Sequence, residues 1–388
     1  MSGRKLYIHI GSHKTGTTSI QHALKENKEA LGRKGLVFFY QKQNGTWNGF
    51  PDLHDWIEYV HKGRIVPQGA RLSNGQNLLA RLAEFEQDVI VSSENFSFFF
   101  ERQNIEEIRT ILSRQFDQIE IICYLRRQDQ HAISHAQEGS KDQRHAEYDL
   151  WGNHSDILPP YDPRFDLYLD YSKRIGMWID VFGEDAVKVR CFDRSRLVGN
   201  DAVADFFSIL GVSDYVGGSR RNETKTALQT KLGHLLIGSS ALNKGKLFTL
   251  INSLALPEQE MQPSRHQAEQ FYSHYQASNL ALAERLGVSD FPEFFSTDFS
   301  SYPEQSSDCW DRETVEALLQ ALFCELGDNY LRLTLNDLLT AAALNKDLGN
   351  YSESFRFLRF AKALQPNSPR VQKEIADVRR LAQNMTNA

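Results

Sequence analysis

The segment Lys5 to Gln21, KLYIHIGSHKTGTTSIQ, joins an apolar run to a tight turn and a helix start. Leu6 to Ile10 has the length of a buried strand, Gly11 and Gly16 permit a sharp reversal, and Thr17 to Leu31 has helical spacing. A helix that starts directly after such a turn points its unbonded amide groups into the loop, where they favour an anion. The position of the lysine narrows the choice of anion. A loop built for ATP reads G-x-x-x-x-G-K-[ST], with the lysine after the second glycine and a hydroxyl ready for magnesium. Here Thr17 follows Gly16, and the loop's lysine, Lys14, precedes it. The sequence therefore argues for a phosphate-bearing donor other than ATP.

Two further strand ends carry ligand-type residues. Ile119 to Leu125, IEIICYL, is rich in β-branched residues and runs into Arg126, Arg127 and a helix pattern, with Ser134 eight residues after Arg126. Arginine suits a phosphate because its planar fork donates two parallel bonds. Asp88 to Ser93, DVIVSS, delivers Glu94 at a carboxyl end, where open α/β sheets bind ligands.

His13 to Gln21, HKTGTTSIQ, resembles the 5'-phosphosulfate loop of sulfotransferases that use 3'-phosphoadenosine 5'-phosphosulfate, especially the bacterial carbohydrate-type branch with H-K-T-G-T-T-S-[IL]-Q. The resemblance covers about residues 5 to 300. It implies that Thr15, Gly16, Thr17 and Thr18 hold the 5'-phosphosulfate and that Lys14 neutralises the oxygen of the leaving group. Arg126 and Ser134 would grip the donor's 3'-phosphate, with Arg221 of the segment Ser219 to Asn222, SRRN, as a third contact. The family often places a proline two residues after the arginine; this chain has Gln128. Glu94 is the expected general base, desolvated by Phe96, Phe98, Phe99 and Phe100, while His54 and His13 compete for the role. His13 reads better as a structural hydrogen-bonding group. No metal is required by this chemistry.

The rest of the chain extends that frame. Strand patterns at 5–10, 36–40, 88–93, 119–125 and 186–191 alternate with helix patterns at 17–31, 103–115, 129–141, 167–182 and 201–210. Such alternation predicts an α/β fold, a parallel sheet with helices on both faces, here the sulfotransferase version of the P-loop type. Residues 41–75 and 142–165 lack periodicity and hold Trp47, Trp56, Tyr148, Trp151, His154 and Tyr161, rings that suit a polyhydroxylated acceptor or pin the loops to the core. A catalytic domain over 1–308 is expected to precede an all-helical extension over 309–388, in which 338–366 resembles one tetratricopeptide unit. A single such unit cannot bury its own apolar face, so the tail either packs on the core or meets a protein partner.

Several features bound the function. A formal charge of −6 argues against a nucleic-acid surface and against a highly sulfated polymer as acceptor; a neutral glycan, a glycolipid head group or a small hydroxylated metabolite fits better. A first strand beginning at residue 5 leaves no room for a leader, and no run approaches the length of a membrane span, so a cytoplasmic protein with four reduced cysteines is expected. His131 and His135 have metal-binding spacing but lack the glutamate of H-E-x-x-H, and are expected to form a surface pair. A nucleotide kinase and a non-catalytic nucleotide-binding scaffold are the alternative classes.

Overall fold

The computed structural model describes residues 3–40, 57–59, 69–140, 156–217, 226–238, 244–254, 261–287, 294–308, 315–316, 318–319 and 334–386. The chain divides into two compact units, one of residues 1–252 and 257–310 and the other of 253–256 and 311–388. The first unit is an α/β layer structure, as the alternating patterns predict. Its strands are β1 (Lys5–His9), β2 (Leu36–Phe38), β3 (Ile57–Tyr59), β4 (Ala70–Leu72), β5 (Asp88–Ser92), β6 (Gln118–Leu125) and β7 (Val187–Cys191). Five of them form one sheet in the order β2-β5-β1-β6-β7, every pair parallel.

The helices that matter for the site are α1 (Thr17–Glu26), α2 (Lys28–Arg33), α3 (Gly75–Leu82), α4 (Arg102–Leu112), α5 (Gln128–Gly139), α6 (Tyr171–Phe182) and α7 (Ala202–Ile209). They are followed by α8 (Ala227–Gly238), α9 (Lys244–Ser253), α10 (Arg265–Ser273) and α11 (Gln276–Arg285).

The strands read as continuous apolar runs because both faces of the sheet are covered. Leu6, Ile8, Val89, Val91, Ile121, Cys123 and Leu125 enter one core cluster with residues of α4, α6, α10 and α11. Their strand neighbours Tyr7, Ile90, Ile122 and Tyr124 enter the opposite cluster with residues of α1, α2 and α7. The period of two is thus complete, with an apolar residue at each alternate position.

The strand order places β1 between β5 and β6, so the chain reverses its direction of sheet growth at β1. Ligands of open α/β sheets bind beyond the carboxyl ends of strands at such a switch point. The three loops that leave β1, β5 and β6 there carry Lys14, Glu94 and Arg126.

Two expectations are corrected. The helix predicted over 17–31 breaks at Asn27, whose side-chain amide donates to the Ala23 and Val216 carbonyls and whose side-chain oxygen accepts from the Val216 amide at 2.7 Å. Residues 41–75 are also not all irregular, since β3 pairs antiparallel with β4 and α3 begins at Gly75. Period alone misses strands of three residues.

The second unit contains α12 (Leu335–Asp347), α13 (Tyr351–Leu364) and α14 (Pro369–Thr386). Thr334 and Asp337 close a capping box at the start of α12, and Leu338, Leu339, Ala342, Leu358, Ala361, Val371 and Val378 form its apolar cluster. Among the described residues no helix is long and apolar enough to cross a membrane.

His9, at the carboxyl end of β1, is fully buried against Tyr124 and Phe206, with Nδ1 2.8 Å from the Ser92 hydroxyl. Burial pushes it from the ordinary 6.5 down to about 3. The unfolded chain takes up a proton near 6.5 while the folded chain does not, so stability is lost as pH falls from 6.5 toward about 3. Each pH unit in that window costs about 1.4 kcal/mol for this one group. Urea titrations between pH 7 and pH 4 should show a shallower acid loss for His9→Gln than for the wild type; parallel curves would contradict the assignment.

Candidate active site

Ser12 organises the loop after β1. Its amide donates to the Tyr124 carbonyl at 2.9 Å and Tyr124 returns a bond to the Gly11 carbonyl at 2.7 Å, so the pairing with β6 runs past the end of β1. Its own carbonyl accepts the Thr15 hydroxyl at 2.6 Å and the Thr17 hydroxyl at 3.2 Å. Thr15 and Thr17 are therefore buried struts that close the turn, whereas Thr18 is exposed. Gly16 is the N-cap of α1 in a left-handed conformation, φ 81°, and offers no side chain to cap the first-turn amides. A Cβ there would lie 3.3 Å from both the Ala202 Cβ and the Phe192 ring, so any other residue would be strained by conformation and tightly packed as well. The first-turn amides of α1 are thus left without a side-chain cap.

Lys14 adopts a left-handed backbone, φ 60°, and its Nζ lies 3.0 Å from Glu138 Oε2 in the last turn of α5. Ser134 and Glu138 are one helical turn apart and share a face of α5. Ser134 is half-buried and its hydroxyl makes no hydrogen bond to a described residue.

At the end of β6 the two adjacent arginines have separate tasks. Arg127 is 5% exposed and fully committed, with its fork on Asp129 at 2.8 and 3.0 Å, Nη1 on the Ser296 and Asp298 carbonyls, and Phe299 beneath it at 4.0 Å. Asp129 also accepts the Tyr302 hydroxyl at 2.7 Å. Arg126 is half-buried and its carbonyl accepts the Tyr171 hydroxyl at 2.8 Å, while its guanidinium has no hydrogen bond or ion pair with a described residue and lies 5.9 Å from the centroid of Phe192. Burial lowers its pKa below the ordinary arginine value, yet an arginine remains charged in any protein setting. Phe192, which touches the space over Gly16, links the two loops. Gln128, where the resemblance expects proline, is the first residue of α5 and forms a reciprocal amide pair with Asn279 at 2.8 and 3.0 Å.

Glu94 follows β5 in a short 3₁₀ turn, Glu94–Phe98, capped by Ser93. Its Cα lies 3.2 Å from where a Cβ on Gly11 would stand, and its Oε1 is 3.9 Å from His13 Nε2. The carboxyl side chain is 36% exposed. The expected aromatic desolvation is only partly present: Phe96 and Phe99 pack on Trp178 within the core, and Phe98 packs on His13 and Tyr168. His13 is held as a structural group, its amide donating to the Tyr168 hydroxyl at 3.1 Å and its Nδ1 2.8 Å from the same oxygen. Burial pushes the Tyr168 phenol up to about 12, so it remains protonated at neutral pH.

His131 and His135 are not a surface pair. They are 0% and 1% exposed, on the face of α5 turned toward the loop, with the ring of His135 5.7 Å from that of His13. Burial holds His131 well below the ordinary histidine range. Among the described residues no group of three or more His, Cys, Asp or Glu side chains forms a metal-binding set. Arg221, His54, Trp47, Trp56, Tyr148, Trp151 and His154 lie outside the described residues. Tyr161 is stacked on His274 at 3.6 Å and bonds Asp166, which pins that loop to the core.

The residues that sequence reasoning missed are Ser12, Glu138, Tyr168 and Arg174. Arg174, on α6, is 1% exposed and donates from Nη2 to the Ser12 hydroxyl at 2.8 Å. Neither Tyr168 nor Arg174 belongs to a motif, and long-range contacts of this kind leave no local pattern. Tyr168→Phe should leave the buried His13 amide unsatisfied and lower stability by about 1–3 kcal/mol. Urea unfolding checks this, and an unchanged midpoint would rule out the strut.

No family model and no curated protein matches the chain. Among solved structures it is similar to a sulfotransferase from Alicyclobacillus acidocaldarius, with 18% identity and a TM-score of 0.34, over 63% of this chain and 96% of that one.

Proposed function

We propose that the chain is a sulfotransferase that moves a sulfuryl group from 3'-phosphoadenosine 5'-phosphosulfate to a hydroxyl, with a carbohydrate or glycolipid as acceptor. The observation that carries the reading is the pair of cations at adjacent strand ends. Lys14 precedes the second glycine of the loop, and Arg126 stands beside Phe192 without an anionic partner among the described residues.

The uncapped amides of α1 and the Thr18 hydroxyl suit the 5'-phosphosulfate, and Arg126 with Ser134 suits the 3'-phosphate; Arg221 remains part of the same proposal. Glu94 takes the proton of the acceptor hydroxyl as its oxygen bonds to sulfur. The bond between sulfur and the bridging phosphate oxygen breaks, and the electron pair stays on that oxygen. Lys14 neutralises the charge, exchanging Glu138 for the leaving group. His13 Nε2 lies 3.9 Å from the Glu94 carboxylate. The net charge of −6 favours a neutral acceptor over a sulfated polymer.

Isothermal titration with adenosine 3',5'-bisphosphate and with magnesium-ATP tests the reading. Bisphosphate should bind more tightly than magnesium-ATP, and Arg126→Ala should weaken it by about tenfold or more, the worth of a charge-assisted contact. Preference for magnesium-ATP would replace the reading with a kinase, and binding of neither with a scaffold. In transfer assays Lys14→Ala should lower turnover about a hundredfold or more with donor affinity little changed. Glu94→Gln should reduce turnover and spare donor binding; full activity would move the base elsewhere.

A further inference from the structure

Arg174 is a fully buried guanidinium under the loop that follows β1. Its Nη2 bonds the Ser12 hydroxyl at 2.8 Å, its Nη1 lies 3.5 Å from the Ser97 carbonyl, and its Nε has no partner among the described residues. Its flat faces meet Tyr168 at 4.5 Å and Tyr171 at 5.2 Å. No described carboxylate lies within ion-pair distance of it. Among the described residues the other buried arginine of the first unit, Arg127, is paired with Asp129.

A buried cation that meets only neutral oxygens and aromatic faces is poorly compensated, and its field in a low-dielectric interior reaches farther than it would in water. Its single short bond goes to Ser12, whose carbonyl also holds the hydroxyls of Thr15 and Thr17. The charge is therefore coupled to the residue that shapes the loop.

We propose that Arg174 is a positioning residue for the anionic donor: it supplies a permanent positive charge beneath the loop and fixes Ser12 so that the open end of α1 receives a phosphate or sulfate group. This rests on the reading that the loop holds such a group. Arg174 touches neither the ligand nor solvent. Its contribution is then insensitive to ionic strength, unlike that of an exposed lysine or arginine.

Titration of the full chain with adenosine 3',5'-bisphosphate, and separately with inorganic pyrophosphate, tests the inference. Arg174→Met keeps the volume and removes the charge. It should fold with a melting temperature no lower than the wild type's, because the uncompensated charge is gone, and should bind both probes about tenfold or more weaker. The deficit should be equal at low and high salt. Arg174→Lys, which retains a cation, should recover part of the affinity.

Wild-type affinity in Arg174→Met overturns the inference while leaving the donor site standing. Failure of the wild type itself to bind either probe overturns the donor reading, and the inference with it. If Arg174→Met does not fold, Ser12→Ala decides, because it keeps the charge and severs its one short bond to the loop. Unchanged affinity and an unchanged salt profile there would overturn the proposed coupling.

Discussion

The extension of the β1–β6 pairing into the loop underlies everything at this site. Strand pairing normally stops where the chain turns, but Gly11 and Ser12 continue to exchange bonds with Tyr124. The loop is consequently held on sheet hydrogen bonds rather than left to its own side chains. Ser12 then spends its remaining atoms on the loop itself, with the carbonyl bonding two threonines and the hydroxyl bonding Arg174. A rigid element of this kind keeps amide groups aimed at one point, which is what recognition of a small anion demands.

Charge around the loop is arranged in layers. Arg174 lies beneath it, Lys14 rests in it against Glu138, and Arg126 stands at the next strand end. Arg127 shows how a buried arginine is ordinarily accommodated, with a carboxylate fork, two carbonyls and an aromatic face. Against that standard Arg126 and Arg174 both lack an ion pair among the described residues. An excess of local cations in a chain whose formal charge is −6 is a property of the site rather than of the whole surface. Buried histidines beside it stay neutral, since desolvation opposes their protonation, and so add no charge of their own.

The architecture was largely legible in the sequence. The strand runs at Leu6, Val89 and Ile121 announced a sheet buried on both faces, and their alternation with helix patterns announced parallel order. The break at Asn27 and the short β3–β4 pair were not legible, because a three-residue strand and a one-residue kink fall below the length over which periodicity is informative. The placement of the loop and of Glu94 just beyond strand ends was readable, because an apolar run marks where each strand stops. The surface placement expected of His131 and His135 was wrong: the i, i+4 spacing says that two side chains share a face but not which neighbour covers it.

By itself the sequence determined the lysine position before Gly16, the three strand ends that carry ligand-type residues and the alternation that builds the sheet. Those are local properties, set by neighbours within a few residues. Only the tertiary structure decided which of two adjacent arginines lacks an anionic partner among the described residues, that Thr15 and Thr17 are struts, that Lys14 rests on Glu138, and that Arg174 lies under the loop. Each of those depends on contacts between segments distant in the chain, where burial and the supply of partners set the role of a charge, and no local pattern encodes either.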